Sequence, residues 1–85
     1  MQVTGAVIRE QGVKFAVVAV KSYVLDNQSE ADDAVAGLMP VFGLPVVLMA
    51  QDSHGRPTYY GRRDIAAFMS RVPVNAIPWR HYTIN

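Results

Sequence analysis

Two short apolar runs constrain this chain more than any other feature. One closes the segment Val13–Val20 as Phe-Ala-Val-Val-Ala-Val, and the other fills Val46–Ala50 between Pro45 and Gln51-Asp52. Neither alternates polar with apolar residues. Such runs suit interior strands covered on both faces. Between them, Ala31, Ala34, Val35 and Leu38 step by three, one and three, which marks one face of a helix. Two buried strands joined through a helix are expected to be parallel, with a right-handed crossover.

The flanking segments complete an α+β pattern. Val3–Ile8 alternates loosely, and Arg9-Glu10-Gln11-Gly12 reads as a hairpin turn into Val13. Lys21–Leu25 either extends the strand or begins a loop. Asp26-Asn27-Gln28-Ser29 supplies a loop and cap, with Ser29-Glu30-Ala31-Asp32 resembling a capping box. Pro40 should end or kink this helix, because Met39 before it is pushed out of the α region. After Val46–Ala50, Gly55 and Pro57 mark a turn, and Thr58-Tyr59-Tyr60 is strand-like. Ile65, Phe68, Met69 and Val72 fall at i, i+3, i+4 and i+7, the clearest amphipathic helix in the chain, stopped by Pro73. A last edge strand around Trp79–Thr83 follows Pro78. The expectation is a single domain over residues 1–85, ordered β-β-α-β-β-α with a final β. Its mixed sheet has four or five strands and two helices, in two or three layers.

From Val13 to Val72 the order strand, helix, proline-preceded strand, hairpin, strand, helix resembles the second half of a thioredoxin fold. Leu44-Pro45 sits where that fold carries the proline before the third strand of the unit. The resemblance is topological. The Cys-x-x-Cys motif is absent, a short hairpin replaces the leading strand and helix, and neither activity nor residues are carried over.

Composition removes several chemistries. With no cysteine, disulfides, thiol catalysis, iron–sulfur clusters and cysteine–zinc sites are excluded together, which fits a cytoplasmic location. Met1-Gln2-Val3-Thr4-Gly5 lacks the basic and apolar regions of a secretory leader. The uncharged run Ala34–Gln51 contains Gly37, Pro40, Gly43 and Pro45, so no membrane span is expected. Hydrophobic residues make up 51% and charged residues 18%, too few polar side chains to cover a small surface. A homodimer or a protein-binding face is therefore expected.

The charge is unevenly placed. Residues 1–53 carry three cations against six acids, whereas Arg56, Arg62, Arg63, Arg71 and Arg80 face only Asp64 in residues 54–85. Arg62 and Arg63 precede the second helix, where positive charge opposes the helix dipole. They are the first candidates for an anion site, joined by Arg56 and His54 if the preceding turn folds back. The competing reading turns them to solvent or pairs them with Asp52 and Asp64. Trp79, Arg80 and Tyr82 form an aromatic-basic string suited to an interaction surface. Together with Tyr59 and Tyr60 they also resemble a stacking platform for single-stranded nucleic acid. A net charge of +1 makes nucleic acid the less favoured partner.

Asp52-Ser53-His54 holds the residue types of a hydrolase triad, but three sequence neighbours cannot adopt its geometry, and turn chemistry explains them. His54 and His81 lack metal-ligand spacing, Glu30, Asp32 and Asp33 are explained by helix capping, and no glycine-rich phosphate loop occurs. No cofactor or metal is expected. The sequence reads as a small non-catalytic cytoplasmic binding or interaction domain that self-associates, the alternative being anion, nucleotide or nucleic-acid binding through the arginines.

Overall fold

The computed structural model describes residues 2–10 and 12–84, so Gln11 of the expected first turn lies outside the described residues. Strand β1 (Gln2–Glu10) turns through Gly12, whose φ of 78° suits glycine, into β2 (Val13–Ala19). A one-turn helix α1 (Ser22–Leu25) and the long helix α2 (Gln28–Phe42) lead to β3 (Val46–Gln51). A hairpin then gives β4 (Pro57–Tyr60), followed by α3 (Arg63–Met69), a 3₁₀ turn (Val74–Ala76) and β5 (Arg80–Thr83).

The described strands form one mixed five-stranded sheet in the order β4-β3-β2-β1-β5. β2 and β3 are parallel, with Ala16 beside Val46 and Val18 beside Leu48, and the other pairs are antiparallel. The apolar runs occupy the two central positions of the β4-β3-β2-β1 portion, where their side chains are divided between two cores. Ala16, Val18, Val46 and Leu48 pack under α2, whose Ala31 is fully buried and whose Ala34, Val35 and Leu38 join them. Phe15, Val17, Val47 and Met49 point the other way, against Ile65 and Met69 of α3 and Ile77 after the 3₁₀ turn. The result is three layers, with α2 on one face and α3 on the other. Alternation within an apolar run is invisible in sequence, because both faces are covered.

Three local expectations change. Helix α2 starts two residues before the Ser29–Asp32 box: Asn27 is the N-cap, in extended conformation, and its Oδ1 accepts the Glu30 N–H at 3.1 Å. Asn and Ser are comparable caps, and the earlier start adds two residues, about half a turn, to the helix. Pro40 does not end α2; the helix runs two residues past it to Phe42 and closes at Gly43 in the left-handed conformation (φ 66°). Pro40 forfeits one backbone bond. Phe42 gives a reason for the continuation, since its ring meets Tyr82 edge-on with centroids 5.1 Å apart. Lys21–Leu25 becomes the turn of helix α1, which carries Val24 and Leu25 onto the α2-side core.

Helix α3 stops at Met69, before Val72 and Pro73. The chain then tightens into i→i+3 bonds, Arg71 N–H to Phe68 at 3.1 Å and Val72 N–H to Met69 at 3.0 Å. Val72 still packs on the same core as Ile65 and Phe68. No cis peptide bond occurs among the described residues, Pro45 included.

Candidate functional site

Helix α2 lies on the sheet as a ridge with a depression on each side. Its sheet-facing stripe, Ala31, Ala34, Val35 and Leu38, is set by the period of 3.6 residues. The neighbouring stripe Gln28, Asp32, Val35, Ala36 and Met39 overlooks β4 and the β4–α3 junction. The opposite stripe Ala34, Gly37, Leu38 and Val41 overlooks β1 and the ends of β2 and β5.

The first depression is a cleft of about 530 Å³. Tyr60, the last residue of β4, donates its hydroxyl to Asp32 Oδ1 across the cleft. That bond, followed by burial and the Asp32 charge, pushes the Tyr60 hydroxyl pKa up, while the Gln28 side chain acts in the opposite sense. Val35, Met39, Pro45 and Val46 supply apolar surface, and Gly61, Arg62 and Arg63 form the far rim. Gly61 has φ 153°, and a Cβ there would lie 3.0 Å from Val47 Cγ2 and 3.1 Å from the Val46 carbonyl oxygen. The close approach of this backbone to β3 places the two arginines at the cleft.

The structure does not bring the four anion-site candidates together. Arg56 and His54 sit in the β3–β4 turn, and Arg62 and Arg63 follow the other end of β4. A four-residue strand separates them by roughly 13 Å of chain. The turn is organised by Asp52: its Oδ1 accepts the N–H groups of His54 (2.8 Å) and Arg56 (2.9 Å), and its Oδ2 accepts Arg56 Nε (3.0 Å). The Arg56 N–H is the main reason the Asp52 carboxyl titrates below its ordinary range. His54 Nδ1 lies 3.4 Å from Ser53 Oγ. This fits the turn reading of Asp52-Ser53-His54.

Arg62 is likewise engaged. Its Nε and Nη2 donate to the two oxygens of Asp64 at 3.1 and 2.6 Å, which lowers the Asp64 carboxyl pKa. Among the described residues, Arg63 makes no ion pair or side-chain hydrogen bond, and it is exposed. Of the arginines that the sequence singled out there, Arg63 is the one left available to an external anion.

The second depression is an apolar groove of about 300 Å³, lined by Val3, Val20, Leu38, Val41 and Ile84 among others. Val41 is 45% exposed on its rim. The groove lies beside β5, one of the two outer strands of the sheet. Tyr82 of β5 reaches over Gly5, where a Cβ would meet the Val17 carbonyl oxygen at 2.9 Å and the Tyr82 ring at 3.7 Å. Arg80 is exposed on β5. Trp79 turns inward instead: it packs against the α3-side core, and its indole N–H donates to the Val74 carbonyl at 3.1 Å.

Sequence reasoning passed over Asp32, Gln28, Met39 and Tyr60 as a group. In the sequence Asp32 reads as helix capping, and Tyr60 as a strand residue or a stacking surface. Their common signal is the stripe 28, 32, 35, 39 flanking the sheet-facing one. Among the described residues no cluster of three or more metal-ligating side chains occurs, and no helix is long and apolar enough to cross a membrane. No protein-family model, curated protein or solved structure matches the chain.

Proposed function

We propose that this protein is a small non-catalytic cytoplasmic binding domain that self-associates, β5 against β5 of a second copy. The observation that carries this reading is the apolar groove beside an outer strand, with half-exposed Val41 on its rim. Outer strands present backbone groups ready to pair. An antiparallel, two-fold pairing centred on Tyr82 sets His81 opposite Thr83 of the second copy and keeps the two Arg80 side chains apart, so no like charges face each other. The same approach brings the two grooves toward the joint, where apolar area from both copies leaves water. The exposed surface supports this: 5559 Å², against roughly 5000 Å² expected for a monomer of this mass by the usual scaling. Sedimentation equilibrium at high micromolar concentration should return twice 9.4 kDa. Val41→Lys, which places a charge on the groove rim, should return a monomer with unchanged circular dichroism. A monomeric mass for the parent protein contradicts the reading.

A second reading, anion binding through the arginines, is favoured by Arg63 alone. Arg62 and Arg56 already satisfy carboxylates of their own segments, whereas the Arg63 guanidinium is unengaged among the described residues. Titration with inorganic phosphate or acetate should shift the Arg63 side-chain resonance, and absence of any shift removes this reading.

A further inference from the structure

We infer that the cleft between α2 and the β4–α3 junction binds a small monocarboxylic acid with an apolar body and a hydroxyl donor at its far end. This inference rests on the anion-binding reading of Arg63 and adds the class of ligand.

The cleft is polar at both ends and apolar between. Asp32, Gln28 and Tyr60 line it together, tied by the Tyr60–Asp32 bond, and the chain after Tyr60 runs antiparallel to β3, toward Val46 and Pro45, carrying Arg62 and Arg63 into the lining. The register places Tyr60 opposite Leu48, two residues along β3 from Val46. Two strand residues span roughly 7 Å. Along α2, Asp32 and Met39 are seven residues apart, or roughly 10 Å. The intervening surface is Val35 and Met39, with Met39 44% exposed. A volume of about 530 Å³ is of the size that small-molecule sites occupy.

Charge selects among anions. Arg63 offers one unengaged guanidinium, whose fork matches a carboxylate. Asp64 occupies Arg62, and the Asp32 carboxylate shares the cleft. Nucleotides and nucleic acid carry several charges and would meet one unpaired guanidinium here, Arg62 being paired with Asp64, together with the Asp32 carboxylate. A monocarboxylate meets its match at one end and avoids Asp32 at the other. At the Asp32 end, Tyr60 occupies only Oδ1, so Oδ2 remains to accept a hydrogen bond. A ligand hydroxyl donating to Oδ2 completes the carboxylate's partners, while its apolar body covers Val35 and Met39.

The test uses four probes on the full chain: 4-hydroxyphenylacetate, phenylacetate, acetate and inorganic phosphate, each followed by amide and arginine side-chain resonances. The expected result is saturable binding of 4-hydroxyphenylacetate with shifts at Met39, Gly61 and Arg63, at least tenfold tighter than acetate. Phenylacetate should bind between the two. Arg63→Gln should weaken 4-hydroxyphenylacetate at least tenfold. Asp32→Asn should change the ratio of 4-hydroxyphenylacetate to phenylacetate affinity, a readout that a merely structural role for Asp32 would not move. If phosphate or acetate shifts Arg63 but the aryl acids bind no tighter than acetate, the ligand class is wrong and the anion-binding reading stands. If no probe shifts Arg63, both fall.

Discussion

At the scale of single residues, Gly61 and Tyr59 make opposite predictions. Gly61 has φ 153° and passes within contact distance of β3. Gly61→Ala should therefore lose about 1–3 kcal/mol, read as a lower denaturant midpoint, with the cleft resonances displaced. Tyr59 packs against the α3-side core, and burial pushes its hydroxyl pKa up. That hydroxyl is buried with no hydrogen-bond partner among the described residues. Tyr59→Phe removes a desolvated group without opening a cavity, so stability should hold or rise by up to about 1 kcal/mol. A loss above that would mean the hydroxyl has a partner.

The exposed carboxylates set the acid limb of stability. Asp52 and Asp64 titrate below 3.8 in the folded chain, held by the Arg56 N–H and the Arg62 guanidinium respectively. Their contribution is present above that value and is lost as pH falls through the lowered folded values. Tyr60 runs the other way. Its folded pKa lies above 10.0, so its contribution is whole below pH 10.0 and lost as pH rises through the folded value. Thermal melts across pH should show Asp52→Asn flattening the acid limb and Tyr60→Phe flattening the alkaline one.

At the scale of elements, how much was legible depended on whether the determining contacts were local. β2 and β3 could be read because strands buried on both faces must be apolar throughout. Truncating one of them, Leu48→Ala, should cost about 2–5 kcal/mol, since Leu48 is fully buried. The start of α2 was misread because Asn27 and Ser29 are both competent caps, and only the folded chain selects between them. Its extension through Pro40 depends on Phe42 meeting Tyr82, forty residues away. α1 is a four-residue turn, too short to show a helical period. The cleft was the least legible part. Asp32 and Tyr60 are joined by a bond across 28 positions, and neither residue signals the other locally. The arginines were legible as charges but not as a group: a short strand placed Arg56 at one end and Arg63 at the other, and each nearby acid took its neighbour.

At the scale of the whole molecule, α2 divides one face of the sheet into a polar-ended cleft on the β4 side and an apolar groove on the β5 side. The two depressions differ in their lining, and on the α3 face Phe68, Val72 and Trp79 pack against the core. A low-charge chain of this length leaves apolar surface uncovered, and the groove beside β5 is where half-exposed Val41 and an outer strand coincide. Joining two copies there would make a continuous ten-stranded sheet and leave both ligand clefts open at its far ends. The direct measurement is the solution mass by sedimentation equilibrium over a concentration series reaching the high micromolar range. Association through β5 predicts a dimer that dissociates on dilution and is abolished by Val41→Lys; a mass of 9.4 kDa at every concentration would contradict it.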